Sequence, residues 1–324
     1  MPLKRIAVLG EIGSGNLGDD YGYVLLRDAL RAAFEEKDVL VDIRPVTPNL
    51  FGLLGGYHWD AVVTGCGTLL DVSNGVYVRA LTEASEKCTV AILGSGVSDA
   101  RHAPPTADGV AAFLELTQCR AKHVWLRNAP ESCAQFAKGM LAPDPFWLMG
   151  WNGDNHERTH VGLNVGYAGF STMNLDPGFM TTLRAARSLI THPVRLFAAW
   201  ANDKPWIERV ALPGENIALV DGTRASLQPL DGCSAVLATR IHLAVSAACR
   251  GAFPVLPDYA GKVASVFAST NVPHHLLTLD ADPQHIADIL DKPWTSDGAA
   301  AVRAARAVCR VRVSQAVKQI MRHW

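Results

Sequence analysis

Residues 5–20 of the chain read RIAVLGEIGSGNLGDD, and a helix-length segment, Tyr21–Phe34, follows them. Arg5–Leu9 is a short, largely apolar run and predicts a buried strand. The glycines at positions 10, 13, 15 and 18 predict a tight loop, and the apolar residues of Tyr21–Phe34 recur at steps of three and four. A strand, a glycine-rich turn and a helix predict the opening βα unit of a parallel sheet.

The same alternation continues along the rest of the chain. Strands are predicted at 39–46, 61–64, 89–93 and 123–126, and helices at 76–86, 107–117 and 130–138. After a polar segment at 151–160, strands are predicted at 161–165, 194–198, 217–220, 235–238 and 253–256, and helices at 178–190, 242–250, 262–268 and 298–321. We therefore expect two Rossmann-like α/β domains, residues 1–150 and 161–324, whose parallel sheets face each other across a cleft.

Composition excludes several classes of protein. The chain has 324 residues, of which 49% are hydrophobic and 19% charged, and its formal net charge is −1. Disordered chains are less hydrophobic and more highly charged, and nucleic-acid-binding domains carry a basic excess. No run approaches the ~18 apolar residues of a membrane span, and the start lacks a long apolar signal segment. We expect a cytoplasmic protein.

The cysteines and the last helix also bear on partners and location. The seven cysteines form no CxxC pair, which predicts reduced thiols and neither a zinc site nor a disulfide framework. Arg303, Arg306 and Arg310 share one face of the long C-terminal helix. Solvation is the favoured interpretation of that face, and contact with an anionic membrane surface is the minority one.

Three glycine-rich segments follow predicted strands in the first half. They are residues 10–20, with Gly15, Asn16, Asp19 and Asp20; residues 64–71, with Cys66 and Gly67; and residues 93–98, with Gly94 and Gly96. A dinucleotide site is one interpretation of the first, but paired carboxylates suit sugar hydroxyls better than a pyrophosphate. Alternatively, Asp19 or Asp20 only caps a helix. The Cys66 thiol is interpreted as small and buried rather than nucleophilic.

The second half has its richest chemistry at residues 238–242. Thr239, Arg240 and His242 lie where a strand passes into a helix, and Lys262 follows the next strand. Arg240 offers a planar fork for a carboxylate or phosphate, and His242 is a switchable acid or base near neutral pH. The plainer alternatives are a buried, hydrogen-bonded histidine and a surface lysine.

Two further segments carry candidate residues. Arg127 is a second cation at a strand end, in the first half of the chain. Asp280 and Asp282 resemble a metal-binding DxD motif, but they precede Pro283 and a helix, so we interpret them as capping residues. We expect no metal site.

Together these segments resemble the polysaccharide pyruvyl transferase family. The family's Asn-x-Gly-Asp-Glu loop, its Gly-Gly-Gly-x-Leu-x-Asp segment and its Gly-Gln-Gly turn correspond to residues 16–20, 65–71 and 94–96. Its arginine before a helix, its later Asp-Pro and its Ser-x-Arg-Leu-His signature correspond to Arg127, residues 144–145 and residues 238–242. The ordered set spans about residues 5–265, and it departs from the family pattern at Asp20, Cys66, Ser95, Asn128, Ala238 and Ile241.

The resemblance implies a GT-B-like fold and transfer of pyruvate from phosphoenolpyruvate onto a sugar diol as a ketal, without a cofactor. The donor would be held on the 161–324 side by Arg240, Thr239 and Lys262, with Arg127, while His242 acts as general acid. The acceptor saccharide would be held on the 1–150 side by Asn16, Asp19, Gly15, Gly67, Gly94 and Gly96. Two alternatives remain: a GT-B glycosyltransferase that uses a nucleotide sugar, and a non-catalytic carbohydrate-binding protein of the same fold.

Overall fold

A computed structural model of the chain describes residues 3–47, 58–65, 67–70, 72, 75–97, 106–129, 131–153, 157–166, 177–221, 223, 225–258, 266–292 and 298–324. Its contacts divide the chain into two compact units. The first comprises Met1–Ser14, Asp19–Leu148 and Ala305–Trp324, and the second comprises Gly15–Gly18 and Met149–Ala304. This division differs in two places from the expected domains 1–150 and 161–324. The last twenty residues group with the first unit, and Gly15–Gly18 group with the second.

The first unit is built on a six-stranded parallel sheet. Its strands are β1 (Lys4–Leu9), β2 (Val41–Val46), β3 (Ala61–Gly65), β4 (Thr68–Leu70), β5 (Thr89–Val97) and β6 (His123–Asn128). The strand order is β2-β1-β3-β5-β4, and β6 also pairs with β5. Its helices are α1 (Leu17–Glu35), α2 (Val76–Ser85), α3 (Ala107–Leu114) and α4 (Glu131–Ala134), with a π-helix at Glu115–Arg120 and a 3-10 helix at Pro145–Met149.

The second unit has its own six-stranded parallel sheet, in the order β12-β11-β10-β7-β8-β9. The strands are β7 (His160–Asn164), β8 (Val194–Ala198), β9 (Ile217–Leu219), β10 (Cys233–Ala238), β11 (Phe253–Pro257) and β12 (His275–Leu277). The helices are α5 (Pro177–Leu189), α6 (Lys204–Ile207), α7 (Ile241–Cys249) and α8 (Pro283–Asp291), with 3-10 helices at Ala201–Asp203 and Ala225–Gly232. The last helix, α9 (Gly298–Met321), begins in the second unit and continues from Ala305 in the first. The predicted class, two α/β units on parallel sheets, is confirmed.

The long helix α9 supplies part of the core of the first unit. Cys309, Val313 and Val317 on its apolar stripe are at most 2% exposed. Its Cys309 thiol lies against the carbonyl oxygens of Pro143 and Asp144. Beyond the helix, the ring of Trp324 stacks on Phe34 with centroids 5.3 Å apart. These contacts explain why residues 305–324 belong with strands that lie more than a hundred residues earlier in the sequence.

Two predicted elements of the first unit differ from the structure. β5 extends through Gly94, Ser95 and Gly96, which were expected to form a loop, because β4 and β6 pair with this part of the strand. The predicted helix 130–138 is reduced to α4, because the chain after it turns back along β6. There the N–H of Leu126 donates to the carbonyl of Met140, and the N–H of Ala142 donates to the carbonyl of Leu126.

No helix within the described ranges has the length and apolarity that a bilayer crossing requires. The same residues contain no group of three or more His, Cys, Asp or Glu side chains that could hold a metal ion. Cys66, Asp71 and Lys262 from the motifs discussed above lie outside the described residues.

Candidate functional site

The candidate site in the second unit lies where the order of its strands reverses. The chain starts at β7, moves to β8 and β9 on one side, and then returns to β10, β11 and β12 on the other. The reversal therefore falls between the carboxyl ends of β7 and β10, where open α/β sheets bind their ligands. The last residue of β7 is Asn164, and β10 is followed by Thr239 and Arg240.

A buried hydrogen-bond network joins these two strand ends. The Asn164 side chain donates to the carbonyl of Phe197 (2.9 Å) and accepts from the backbone N–H of Arg240 (3.2 Å). The Thr239 hydroxyl accepts from the N–H of Gly166 at 2.5 Å, and Thr239 is only 1% exposed. This hydrogen bond stabilises the turn that presents Arg240. The predicted role of Thr239 in donor binding stays a prediction.

Arg240 is oriented by an acidic residue that the sequence analysis did not single out. Its Nε lies 3.1 Å from both carboxylate oxygens of Asp203, and its Nη2 lies 2.5 Å from Oδ1. Asp203 is fully buried, and the Arg240 side chain is 14% exposed. The contacts with Asp203 engage Nε and Nη2 of the guanidinium. A two-pronged pair of this kind fixes the plane of the guanidinium.

Trp200 and Gly166 complete the surroundings of Arg240. The Cζ atom of Arg240 lies 5.3 Å from the centre of the Trp200 ring, within the range of a cation–π contact. A Cβ atom added at Gly166 would lie 2.5 Å from Arg240 Nε, so the side chain rests directly on the backbone there. Asp203, Trp200 and the backbone at Gly166 thus all contact the Arg240 side chain.

His242 occupies the first turn of α7, and it is half-buried. The side chain of Arg240, the N-cap residue, makes no capping hydrogen bond to this nine-residue helix. The backbone N–H groups of a helix start and the positive end of its dipole favour an anion. Arg240 and His242 therefore flank a place in the second unit that is suited to a phosphate or carboxylate.

The Gly15–Gly18 segment packs against the same corner of the second unit. The N–H of Leu17 donates to the carbonyl of Ala199 at 3.0 Å, and the N–H of Gly18 donates to the Asn16 side chain at 3.0 Å. A Cβ atom added at Gly18 would overlap the His242 imidazole. Glycine at this position is required by that close approach. Gly15 and Asn16, predicted to bind the acceptor, thus belong to the same unit as the predicted donor residues.

The first unit also has a reversal of strand order, between β1 and β3, and carboxylates gather there. An Asp19 oxygen would lie 2.8 Å from a Cβ atom at Gly67, which itself has a φ of 84°. Asp20 accepts from the N–H of Gly13 at 2.5 Å and so closes the loop. Tyr77 donates to Glu11 at 2.5 Å, and burial together with this bond raises the pKa of the phenol well above its usual value.

The remaining predicted residues have structural surroundings that explain their identity. Arg127 is 5% exposed and lies 2.6 Å from the fully buried Asp144, whose other oxygen accepts from the N–H of Phe146. A Cβ atom at Gly94 would overlap Pro145. Gly96 donates its N–H to the carbonyl of Gly67 at 2.9 Å. The ligand-binding roles of Arg127, Gly94, Gly96 and Lys262 stay predictions.

The interpretation of residues 280–282 as a helix cap is confirmed. Asp282 precedes α8, and its carboxylate accepts from the N–H of His285 at 2.9 Å. Asp203 and Asn164 are the site residues that the sequence analysis missed. Each is a polar residue at or soon after the end of an apolar strand, and that position was the available signal.

No protein-family model matches the chain, and no curated protein sequence matches it. Solved structures do match over nearly its whole length. They include a Listeria monocytogenes protein provisionally assigned as a UDP-N-acetylglucosamine 2-epimerase (TM-score 0.62, 11% identity, 98% of this chain and 96% of that one). They also include the Methanocaldococcus jannaschii UDP-GlcNAc 2-epimerase in complex with UDP-GlcNAc and UDP (0.51, 9%, 94% and 99%). A third is Arabidopsis thaliana UGT89C1 in complex with UDP-L-rhamnose (0.50, 11%, 99% and 100%).

At identities this low the likeness concerns the fold alone. The chain has a GT-B-like fold of two α/β units with parallel sheets, as the family resemblance implied.

Proposed function

We propose that the chain transfers a group from a small phosphorylated donor to a saccharide. The observation that carries this proposal is the junction after β10, where Arg240 and His242 flank the start of α7 at the strand-order reversal. Two cationic or protonatable side chains and a helix start that the Arg240 side chain does not cap favour a multiply charged anion. Since the net charge of the whole chain is −1, this attraction is local.

Phosphoenolpyruvate is the donor that the sequence favours. It carries a carboxylate and a phosphate on a three-carbon frame, which matches a site of one fixed guanidinium and one helix start. The ordered motifs from residue 16 to residue 242 resemble those of polysaccharide pyruvyl transferases and support the same donor. Transfer would produce a pyruvate ketal on a sugar diol and release inorganic phosphate.

In this reaction each candidate side chain has a defined role. His242 delivers a proton to the methylene carbon of the donor, and the neighbouring carbon becomes electrophilic. One sugar hydroxyl adds to that carbon; the second then displaces phosphate, so one carbon–oxygen bond breaks as the second ketal bond forms. Arg240 holds the donor anion, while Asn16 and Asp19 orient the diol. The Asp19 carboxylate accepts the proton of the first hydroxyl, and the proton of the second hydroxyl leaves with the phosphate. A general acid in this role contributes roughly 10²–10⁴ in rate.

A nucleotide-sugar donor is the second candidate, and a specific observation favours it. Two of the matching structures carry sugar nucleotides of uridine, namely UDP-L-rhamnose and UDP-GlcNAc. The diphosphate of such a donor would suit the same helix start. A non-catalytic carbohydrate-binding protein of this fold is the third candidate, and it would bind saccharides without releasing phosphate from either donor.

The discriminating experiment measures what the protein releases. Purified protein is incubated with phosphoenolpyruvate, UDP-glucose or UDP-GlcNAc against a panel of glycosides and lipid-linked sugars, and inorganic phosphate and UDP are quantified. Acceptor-dependent phosphate release with a ketal product, detected by mass spectrometry, supports the proposal. Acceptor-dependent UDP release replaces it by the second candidate, and saccharide binding without either product leaves the third.

A matched pair of variants separates specific turnover from contamination. Arg240→Lys keeps the charge but loses the fork, whereas Arg310→Lys makes the same change at an exposed position on α9. We expect turnover to fall in the first and to remain in the second. Equal turnover in both would remove Arg240 from the donor site.

A further inference from the structure

A second polar pocket lies at the opposite edge of the first sheet from the glycine-rich segments. It is open to solvent and has a volume of about 500 Å³. Its polar lining consists of Thr117, Lys122, His123, Arg312, Gln315 and Gln319. His123 is the first residue of β6, so the pocket is at the amino end of the parallel strands, whereas the candidate catalytic residues follow carboxyl ends. The pocket therefore does not belong to the site described above.

The charge of this pocket is positive. Lys122 and Arg312 contribute two cations, and none of the described lining residues is acidic. The sequence of α9, which supplies Arg312, contains four arginines and one lysine but no Asp or Glu. The nearby Glu115 is engaged by Arg120 at 2.8 Å. Two positive charges with no acidic residue in the described lining favour a phosphate group.

The hydrogen bonding of His123 is a second, independent observation at this pocket. Its Nε2 atom is buried and has no hydrogen-bond partner among the described residues. Burial, together with the charge of Arg312, lowers the pKa of this imidazole to about 4. A buried polar atom without a partner is uncommon in folded proteins and is explained when a ligand or ion supplies the partner.

The backbone beside the pocket is also unusual. α3 passes directly into the π-helix Glu115–Arg120, and Thr117 of that segment lines the pocket. π-helical turns are rare and are frequent at functional sites. The hydroxyl of Thr117 donates to the carbonyl of Phe113 at 2.8 Å.

We propose that this pocket binds the phosphate group of a hydroxylated small molecule. Lys122 and Arg312 would hold the phosphate, and the amides of Gln315 and Gln319 would hydrogen-bond to hydroxyl groups. A volume of about 500 Å³ is within the range of small-molecule sites. The same chemistry occurs in a soluble sugar phosphate and in the headgroup of an anionic lipid. The proposal does not depend on which donor the enzyme uses.

Calorimetric titration with glucose 6-phosphate tests the soluble form, and co-sedimentation with phosphatidylglycerol vesicles tests the lipid form. The variants are Arg312→Gln and Lys122→Gln, with Arg310→Gln as the matched control on the exposed face of α9. We expect each pocket variant to bind at least ~10-fold more weakly than the wild type, and the control to bind within about twofold. Saturation with the sugar phosphate should also raise the pKa of His123, measured by NMR.

Several outcomes would overturn the proposal. One is that the wild-type protein binds neither probe, and another is that Arg312→Gln and Lys122→Gln bind as tightly as the wild type. Equal weakening in Arg310→Gln would indicate diffuse attraction to the basic helix instead of a pocket. Loss of binding in His242→Ala would show that the probe occupies the donor site. If His242→Ala lacks turnover but still binds the probe, the pocket binds its ligand independently of the donor site, and the proposal is supported.

Discussion

The two sheets of this protein reverse their strand order in the same way but surround the reversal with different polar side chains. Between β1 and β3 the following loop carries Glu11, and the first turn of α1 carries Asp19 and Asp20. Between β7 and β10 the neighbouring residues are Arg240 and His242, at the start of α7. The comparison teaches that a parallel sheet supplies the location of a site, while a few side chains after the strands decide which ligand it takes.

Each of these regions also brings one glycine against its candidate catalytic side chain. Gly67 lies against Asp19, and Gly18 lies against His242. Each unit contains a buried arginine–aspartate pair as well, Arg127 with Asp144 in the first and Arg240 with Asp203 in the second. These parallels allow matched variants, in which the same change is made in both regions.

The largest effect is expected at the reversal between β7 and β10, where Arg240 and His242 lie. His242→Ala should lower the rate of acceptor-dependent phosphate release by about 10²–10⁴-fold, because it removes the general acid. Asp19→Asn should lower acceptor-dependent turnover, because it removes the base that accepts the diol proton, and leave donor binding, measured by calorimetry, near the wild-type value. Circular dichroism melting checks that both variants are folded. Near-full turnover of His242→Ala would end its catalytic assignment.

Disrupting either of the two buried ion pairs should lower the stability by a similar amount, but only one of the two disruptions should affect donor binding. Asp203→Ala and Asp144→Ala each remove a fully buried carboxylate that pairs with a guanidinium, which costs about 3–5 kcal/mol of unfolding free energy. Urea titration measures this loss. Of the two variants, only Asp203→Ala should also bind the donor more weakly in its folded state, since Asp203 orients Arg240. Equal donor affinity in both variants would show that the orientation of Arg240 is unimportant.

The paired glycines predict a smaller difference. Gly67→Ala requires a left-handed backbone that a side chain disfavours by about 1–2 kcal/mol, and it should lower the melting temperature. Gly18→Ala displaces the His242 ring and should mainly lower kcat, because a displacement of about 1 Å can cost on the order of 10²-fold. Melting curves and steady-state kinetics of both variants separate the two effects. A Gly18→Ala enzyme with unchanged kcat would contradict the close approach.

The smallest effect concerns the carboxylate loop and is visible in its pH dependence. The pKa of Tyr77 is raised in the folded protein, so folding keeps a proton that the unfolded chain releases above about pH 10. The stability from the Tyr77–Glu11 bond is therefore complete below that pH and declines above it. Tyr77→Phe should cost about 1 kcal/mol at neutral pH and reduce the alkaline decline. Identical alkaline melting profiles of the variant and the wild type would refute this role.

Much of the fold was predictable because its signals are local. Most strand positions followed from short apolar runs, and α9 begins and ends at the predicted residues, Gly298 and Met321. The β5 extension was not predictable, because Gly94 and Gly96 are typical of turns. Only their pairing partners β4 and β6, which lie elsewhere in the sequence, keep them in a strand.

The candidate site was predictable in part for a related reason. Thr239, Arg240 and His242 stand together in the sequence, so a strand followed by a helix was enough to place them. Asp203 lies 37 residues before Arg240, and no local pattern reveals that the two will pair. The membership of Gly15–Gly18 in the second unit is likewise a matter of tertiary contacts, since the segment follows β1 directly in the sequence.

The first unit contains residues from both ends of the sequence, with Cys309, Val313 and Val317 in its interior. On a ribosome, strands β1 to β6 leave the exit tunnel long before those residues are made. Because the amino-terminal unit lacks part of its interior until residues 305–324 emerge, the carboxyl-terminal unit can finish folding first. A fragment that stops near residue 150 should consequently expose apolar surface and aggregate, and adding a peptide of residues 305–324 in trans should restore its solubility.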